Sequence, residues 1–314
     1  MQNATDMRHI FIVNPVAGAE NCLFEIAVFV DLLLEEGFDA RIMTTHKPGQ
    51  AEEYAREIAN DAARADWPAR IYACGGDGTL NGVLNGVMTS QGRDFVEIAH
   101  VPRGSGNDFV KSFGQPEFFL GLEEFVTDAK VEKIDVIQVN ERYCINICSL
   151  GFDARIAADA TKNRFWSKKA SYDFSVATNL FKGLTQEQEV IIQDIDGSEL
   201  FIGEPLTMTC ICNGSWYGGS YNPMPTANTR DGILDVLIVK KVGFLKALTL
   251  IKAYKNGKYS EHPDSIKHYQ TRELTIKTAT ESPINIDGEI INASQADIKI
   301  IPKAISFFAP REAW

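Results

Sequence analysis

The chain has 314 residues, of which 45% are apolar and 23% charged, and its 31 basic and 42 acidic side chains leave a formal net charge of −11. That length accommodates two domains, and the composition is that of a globular protein rather than a disordered or fibrous one. The acidic excess argues against general nucleic-acid binding, which draws its affinity from Lys and Arg on phosphates, and against broad attraction to anionic membranes.

The first third alternates strands and helices. Residues 9–13 are an apolar run ending at Asn14-Pro15 and read as a buried strand. Residues 23–36 have helical periodicity and stop at Gly37; 38–44 read as a second strand. A helix rich in Ala and Glu comes next at 50–65, then a strand at 70–74, a helix at 80–88 and a strand at 96–101. This alternation predicts a parallel sheet covered by helices. From about residue 133 the texture changes. Short apolar runs at 134–139, 143–147, 189–193, 206–212, 234–239, 273–278 and 298–301 are separated by turn signals such as Asn140-Glu141, Asp196-Gly197, Asn222-Pro223 and Asp231-Gly232. This half reads as antiparallel β, interrupted by helical stretches at 172–184 and 244–255.

Ligands of an open α/β sheet bind beyond the carboxyl ends of its strands. Three loops there share one chemistry: Asn14-Pro15-Val16-Ala17-Gly18, Gly75-Gly76-Asp77-Gly78-Thr79 and Pro102-Arg103-Gly104-Ser105-Gly106-Asn107-Asp108. Glycines let backbone amides approach a ligand, and with a helix start they form an anion cradle. Thr79 and Ser105 add hydroxyl donors. Asp77 would repel phosphate unless it holds Mg²⁺, a metal-bound water or a ribose hydroxyl. Arg103 and Lys111 flank the third loop as phosphate partners or as exposed charges. Neither a Walker A sequence nor a clean GxGxxG occurs.

In order and spacing these motifs resemble the diacylglycerol kinase catalytic domain, and within it the soluble bacterial lipid kinases. The resemblance continues through Asn146-x-x-Ser149-x-Gly151-x-Asp153, Asn213, Tyr217-Gly218-Gly219, Pro223, Asp231-Gly232-x-Leu234-Asp235 and Asp287-Gly288-Glu289. The GGDGT element alone is shared with NAD kinases and phosphofructokinases; its combination with Gly-Ser-Gly-Asn-Asp and the late Asp-Gly-Glu is more specific. The resemblance implies an α/β plus β fold: a Rossmann-like N-terminal parallel sheet over residues 1–134, and a C-terminal antiparallel β-sandwich over 135–314 whose last residues are free to return to the first domain. It implies ATP in the interdomain cleft, held by Asn14, Thr45, Gly75, Gly76, Asp77, Gly78, Thr79, Leu80, Asn81 and Ser105. Asp77 also counts as catalytic. Asp287 or Glu289 would be the general base, a choice the sequence leaves open, and the same Asp-Gly, flanked by isoleucines, also reads as a hairpin turn. A structural Mg²⁺ site is implied at Asp231, with backbone carbonyls of Asn228 and Ile233. The substrate would be a lipid hydroxyl at a membrane surface, and soluble relatives are often dimers. The rivals are an NAD kinase and a non-catalytic nucleotide- or lipid-binding regulator on the same fold.

The basic, aromatic run 163–169 reads as a lipid contact or as a solvated loop with one anchoring Trp. Cys22, Cys74, Cys144, Cys148, Cys210 and Cys212 have no zinc-finger spacing and read as reduced thiols. No signal peptide pattern precedes the first strand, and no apolar run reaches the ~18–20 residues of a bilayer span. The expected setting is cytoplasmic, with transient, peripheral contact with the membrane.

Overall fold

The computed structural model describes residues 7–18, 22–113, 116–162, 183–194 and 197–314. The chain divides into two compact units, Met1–Asp135 with Pro302–Trp314, and Val136–Ile301.

The first unit contains β1 (Arg8–Val13), α1 (Cys22–Glu35), β2 (Asp39–Thr44), α2 (Gln50–Ala65), β3 (Ala69–Gly75), α3 (Asp77–Met88), β4 (Val96–Pro102), α4 (Glu123–Thr127) and the start of β5 (Ala129–Val139). The strands run parallel in the order β2-β1-β3-β4. The chain therefore leaves β1 in one direction to form β2 and returns to its other side for β3. The gap between the ends of β1 and β3 is the switch point where such sheets bind ligands. The centre of the sheet is apolar at nearly every position because helices cover both faces: Ile10 to Val13 are fully buried. On α2 the buried residues Ala55, Ile58, Ala59 and Ala62 fall at helical spacing on one face.

Residues 302–314 complete this unit. Ser306 and Phe307 pair in parallel with Glu97 and Ile98 of β4. Phe308 meets the Tyr72 ring edge-on at 5.0 Å, and Phe307 meets Phe109 at 5.4 Å. Tyr72 in turn stacks on Phe11 at 4.1 Å.

The second unit contains β6 (Arg142–Cys144), β7 (Ile147–Gly151), α5 (Phe152–Lys162), β8 (Gln186–Asp194), β9 (Glu199–Cys212), β10 (Leu234–Lys240), α6 (Phe244–Lys255), β11 (Ile266–Ile286) and most of β12 (Glu289–Pro310). Its strands pair antiparallel as a β-sandwich. The 21-residue β11 pairs successively with β10, β8 and β7 while β12 runs along it. Two apolar clusters lie against the sheet. On β10, Leu234, Val236 and Ile238 face one and Leu237 and Val239 the other. Both faces of this strand are covered, so its sequence is apolar without alternation. All six cysteines are free and buried.

The structure differs from the predicted elements in three places. The strand predicted at 143–147 is two strands, broken at Ile145-Asn146. The runs at 273–278 and 298–301 are pieces of two strands of 21 and 22 residues, whose exposed stretches carry no apolar signal. Helix α5 has no counterpart in the sequence reading. The predicted helix at 172–184 falls, but for its last two residues, outside the described residues, as does the run 163–169.

Two buried histidines make the first unit pH-sensitive. Burial and the Arg70 charge lower the pKa of His9 to about 4. Burial also lowers that of His100, whose Nε2 sits 3.1 Å from the Gly75 carbonyl. The unfolded chain binds these protons near the ordinary value of 6.5, whereas the fold holds both rings neutral. The contribution of His9 to stability is therefore present above that value and is lost as the pH falls toward about 4, and that of His100 is lost in the same direction. Urea unfolding between pH 7.5 and 4.5 is expected to show this loss, and His9→Gln to flatten it.

Candidate active site

The loops at the carboxyl ends of β1, β3 and β4 are bound to one another rather than merely adjacent. The Asp77 carboxylate, in the first turn of α3, reaches across to the loop after β4. Its Oδ1 accepts the Asp108 N–H at 2.7 Å and the Phe109 N–H at 3.3 Å. Within that loop the Asn107 side chain accepts from Gly104 N–H and donates to Gly104 C=O, both at 2.9 Å. The loop therefore carries its own brace. Glycine is needed where the loops touch. A Cβ on Gly104 would stand 2.4 Å from the Gly76 Cα. A Cβ on Gly18, at φ +71°, would stand 1.8 Å from the Arg103 carbonyl oxygen. The Gly75 carbonyl accepts the Arg103 N–H at 2.8 Å, tying β3 to the third loop a second time.

Asn14 closes the other side. Its N–H donates to Cys74 C=O at 2.9 Å, its Oδ1 accepts the Val16 N–H at 3.2 Å, and its amide donates to the Thr79 hydroxyl at 3.5 Å. Thr45, at the end of β2, donates its N–H to Val13 C=O at 2.9 Å. Asn14, Thr45, residues 75–79 and Ser105 are thus gathered at one sheet edge, with Ser105 exposed. The amides of Asp77 and Gly78 head α3, where a helix supplies no carbonyl partner. Leu80 and Asn81 differ: both side chains are buried, and Asn81 accepts from the Asn85 amide at 3.1 Å. They build the helix under the loop.

The basic residues beside the third loop are already committed. Arg103 forms a two-pronged pair with Glu25, at 2.7 and 3.3 Å. Lys111 pairs with Asp108 at 2.7 Å.

In the second unit Asp287 and Gly288 form a two-residue hairpin loop between β11 and β12, both at positive φ, the geometry of a type I′ turn. The turn also carries a second role. The Asp287 carboxylate accepts N–H bonds from Ile145 at 2.7 Å and from Asn146 and Ile147 at 3.1 Å, and the Cys144 thiol at 3.0 Å. These bonds explain the break between β6 and β7, whose amides turn to a carboxylate instead of a strand. Glu289, the first residue of β12, is exposed. Asp153, in the first turn of α5, is a carboxyl pushed up to about 6 by burial, opposed by the Ser149 and Tyr217 hydroxyls. The proposed metal ligands lie in one exposed turn. Asp231 Oδ1 accepts the Ile233 N–H at 3.0 Å, and Asn228 Oδ1 accepts the Arg230 N–H at 3.2 Å. No group of three or more His, Cys, Asp or Glu side chains that could hold a metal ion is found among the described residues.

Residues 8–139 match the model of the diacylglycerol kinase catalytic domain, and residues 146–309 that of the YegS C-terminal NAD kinase beta sandwich-like domain. The chain belongs to this lipid kinase family. Proteins named "Putative lipid kinase" from Staphylococcus aureus strains MRSA252 and MSSA476 are 30% and 29% identical to it, over 84% of each chain. Its fold is shared with a structure described as a "putative diacylglycerol kinase" from Bacillus anthracis, at TM-score 0.75 and 22% identity over 98% of both chains. A second structure from that organism matches at TM-score 0.69 and 20% identity.

Sequence reasoning placed the lipid kinase loops but missed what binds them. It read Asp77 toward metal or ribose, whereas one of its oxygens holds the neighbouring loop. Nor did it foresee that Asp287 collects the amides of 145–147; those residues are far away in sequence, and nothing local signals the contact. Because Asp287→Ala strands three amides and a thiol, it is expected to lower stability by roughly 3 kcal/mol or more. Glu289→Ala is expected to change it by under about 0.5 kcal/mol. Denaturant midpoints of the two variants check this.

Proposed function

We propose that the chain transfers the γ-phosphoryl group of ATP to a lipid hydroxyl, with diacylglycerol as acceptor and phosphatidic acid as product. The observation that carries this reading is the Asp77 clamp, which holds a glycine-rich helix start and the Gly-Ser-Gly-Asn-Asp loop together in a member of a lipid kinase family. Phosphoryl transfer needs positioning and charge neutralisation more than covalent help from the protein. Amides at the start of α3 and the hydroxyl of Ser105 would position the phosphates, with Asn14 and Thr45 at the rim.

Arg103 and Lys111 are already paired with Glu25 and Asp108, so neither stands ready for a phosphate. That favours Mg²⁺ arriving with the nucleotide, where it would offset phosphate charge. The second carboxylate oxygen of Asp77 would hold it or its water. The turn containing Asn228, Asp231 and Ile233 offers the carbonyl and carboxylate oxygens that a structural Mg²⁺ prefers. For the base we favour Glu289 over Asp287. Asp287 already accepts four hydrogen bonds, and a carboxylate so stabilised is a poor proton acceptor.

Transfer of labelled γ-phosphate separates the possibilities, using diacylglycerol, a sphingoid base, ceramide, phosphatidylglycerol, an undecaprenol-type alcohol and NAD in parallel. Label in diacylglycerol is the expected outcome. Label in NAD would replace the lipid reading, and ATP binding without transfer to any acceptor would mark a regulator. Asp77→Asn keeps an oxygen for the Asp108 amide but removes the charge. It is expected to keep its melting temperature and lose at least about a hundredfold in kcat. Glu289→Gln is expected to lose about 10²–10⁴-fold in kcat, as for removal of a general base.

A further inference from the structure

Helix α6 is apolar on two sides. Ala247, Leu250, Ala253 and Tyr254 are buried against the sheet of the second unit. Phe244, Leu245 and Leu248 point the other way and are 50, 79 and 48% exposed. A helix with apolar residues on both sides has a second apolar environment to satisfy, and scattered single exposures do not make such a group. At 100° per residue Phe244, Leu245, Leu248, Lys252 and Lys255 share one arc of about 100°.

The charge of the same segment is opposite to that of the protein. Residues 240–258 contain six lysines and no Asp or Glu, in a chain of net charge −11. Lys240 pairs with Glu204 and Lys258 with Glu261, both through exposed side chains. Lys241, Lys246, Lys252 and Lys255 enter none of the ion pairs among the described residues, and all four are exposed. Lys255 packs its ammonium over the Tyr221 ring, 5.5 Å from its centroid. A local cluster of this kind acts at short range whatever the net charge, because salt screens the distant acidic groups beyond about 10 Å.

We propose that α6 is a docking surface for an anionic phospholipid bilayer, with Phe244, Leu245 and Leu248 entering the headgroup boundary and Lys252 and Lys255 of the same arc meeting lipid phosphates. The proposal rests on the lipid kinase reading only for its purpose, since docking itself requires no catalysis. Charge selects this occupant. A bare apolar face accepts any apolar partner, but a lysine-ringed one free of carboxylates matches an anionic lipid surface. Helix α1 supplies the contrast. It also exposes apolar side chains, Phe24 at 70% among them, but carries Glu25, Asp31 and Glu35 and no basic residue. Such a face would be repelled from the same membrane.

Flotation with vesicles of phosphatidylglycerol and phosphatidylcholine, compared with phosphatidylcholine alone at 0.1 M salt, tests the proposal. The wild-type protein is expected to float with the anionic vesicles and stay behind with the neutral ones. Each lysine near an anionic surface strengthens binding roughly fivefold, so Lys252→Gln with Lys255→Gln is expected to weaken it roughly twenty-five-fold. Leu245→Ser with Leu248→Ser is expected to abolish flotation while melting as wild type. Phosphoryl transfer to a dispersed short-chain acceptor should be unchanged in both variants, and transfer to a vesicle-embedded acceptor reduced. If the catalytic reading fails, the flotation result still stands by itself. Equal flotation of wild type and variants, or equal binding to neutral vesicles, overturns the docking surface. So does a wild-type dimer that the leucine variant turns into a monomer, which would assign the face to a second copy.

Discussion

The site depends on one short reach, from the carboxylate of Asp77 to the amides of Asp108 and Phe109. Parallel strands deliver their loops to a common edge but do not fix the distance between them. Here a side-chain oxygen fixes it on one side, and on the other the loops meet backbone to backbone at Gly76 and Gly104. The two constraints need each other. Without glycine the loops stand too far apart for an aspartate to bridge, and without the aspartate the glycines are merely flexible. An anion cradle is useful only if its amides are already in place when the ligand arrives, since ordering them later would draw on binding energy.

The second unit solves a related problem in the same way. Asp287 gathers three amides and a thiol where β6 gives way to β7. In both units a half-buried aspartate accepts several backbone N–H groups. A charge-assisted bond to an amide is short and directional, so the carboxylate works as a geometric fixture. That use leaves the neighbouring acid, Glu289, unencumbered. Two acids two residues apart at a hairpin thus have unlike surroundings: one bonded on several sides, the other open to solvent.

Much of the first unit was legible because its signals are local. Apolar runs ending at Asn14-Pro15, Gly75 and Pro102 mark strands, and clusters of glycine mark the loops that leave them. The second unit was harder to read. Its longest strands are amphipathic and partly exposed, so only their buried fragments at 273–278 and 298–301 stood out from the sequence. The break at Ile145-Asn146 was invisible because its cause, Asp287, lies more than a hundred residues away. The ion-pair partners of Arg103 and Lys111 were not legible for the same reason. Their carboxylate partners are fixed by tertiary structure, and a basic residue beside a glycine-rich loop looks the same with or without one. Composition also concealed the basic segment around α6, since a net charge of −11 averages away six lysines within residues 240–258.

The first unit is discontinuous in sequence, and this has a consequence for synthesis. A nascent chain that has released residues 1–135 still lacks Ser306 and Phe307, which pair with β4, and Phe308, which packs on Tyr72. Until then β4 keeps an open edge, the kind of surface on which strands pair wrongly. The whole of the second unit must leave the ribosome before that edge is covered. The half of the molecule made first is therefore the half completed last, and its closing strand acts as a clock on its folding.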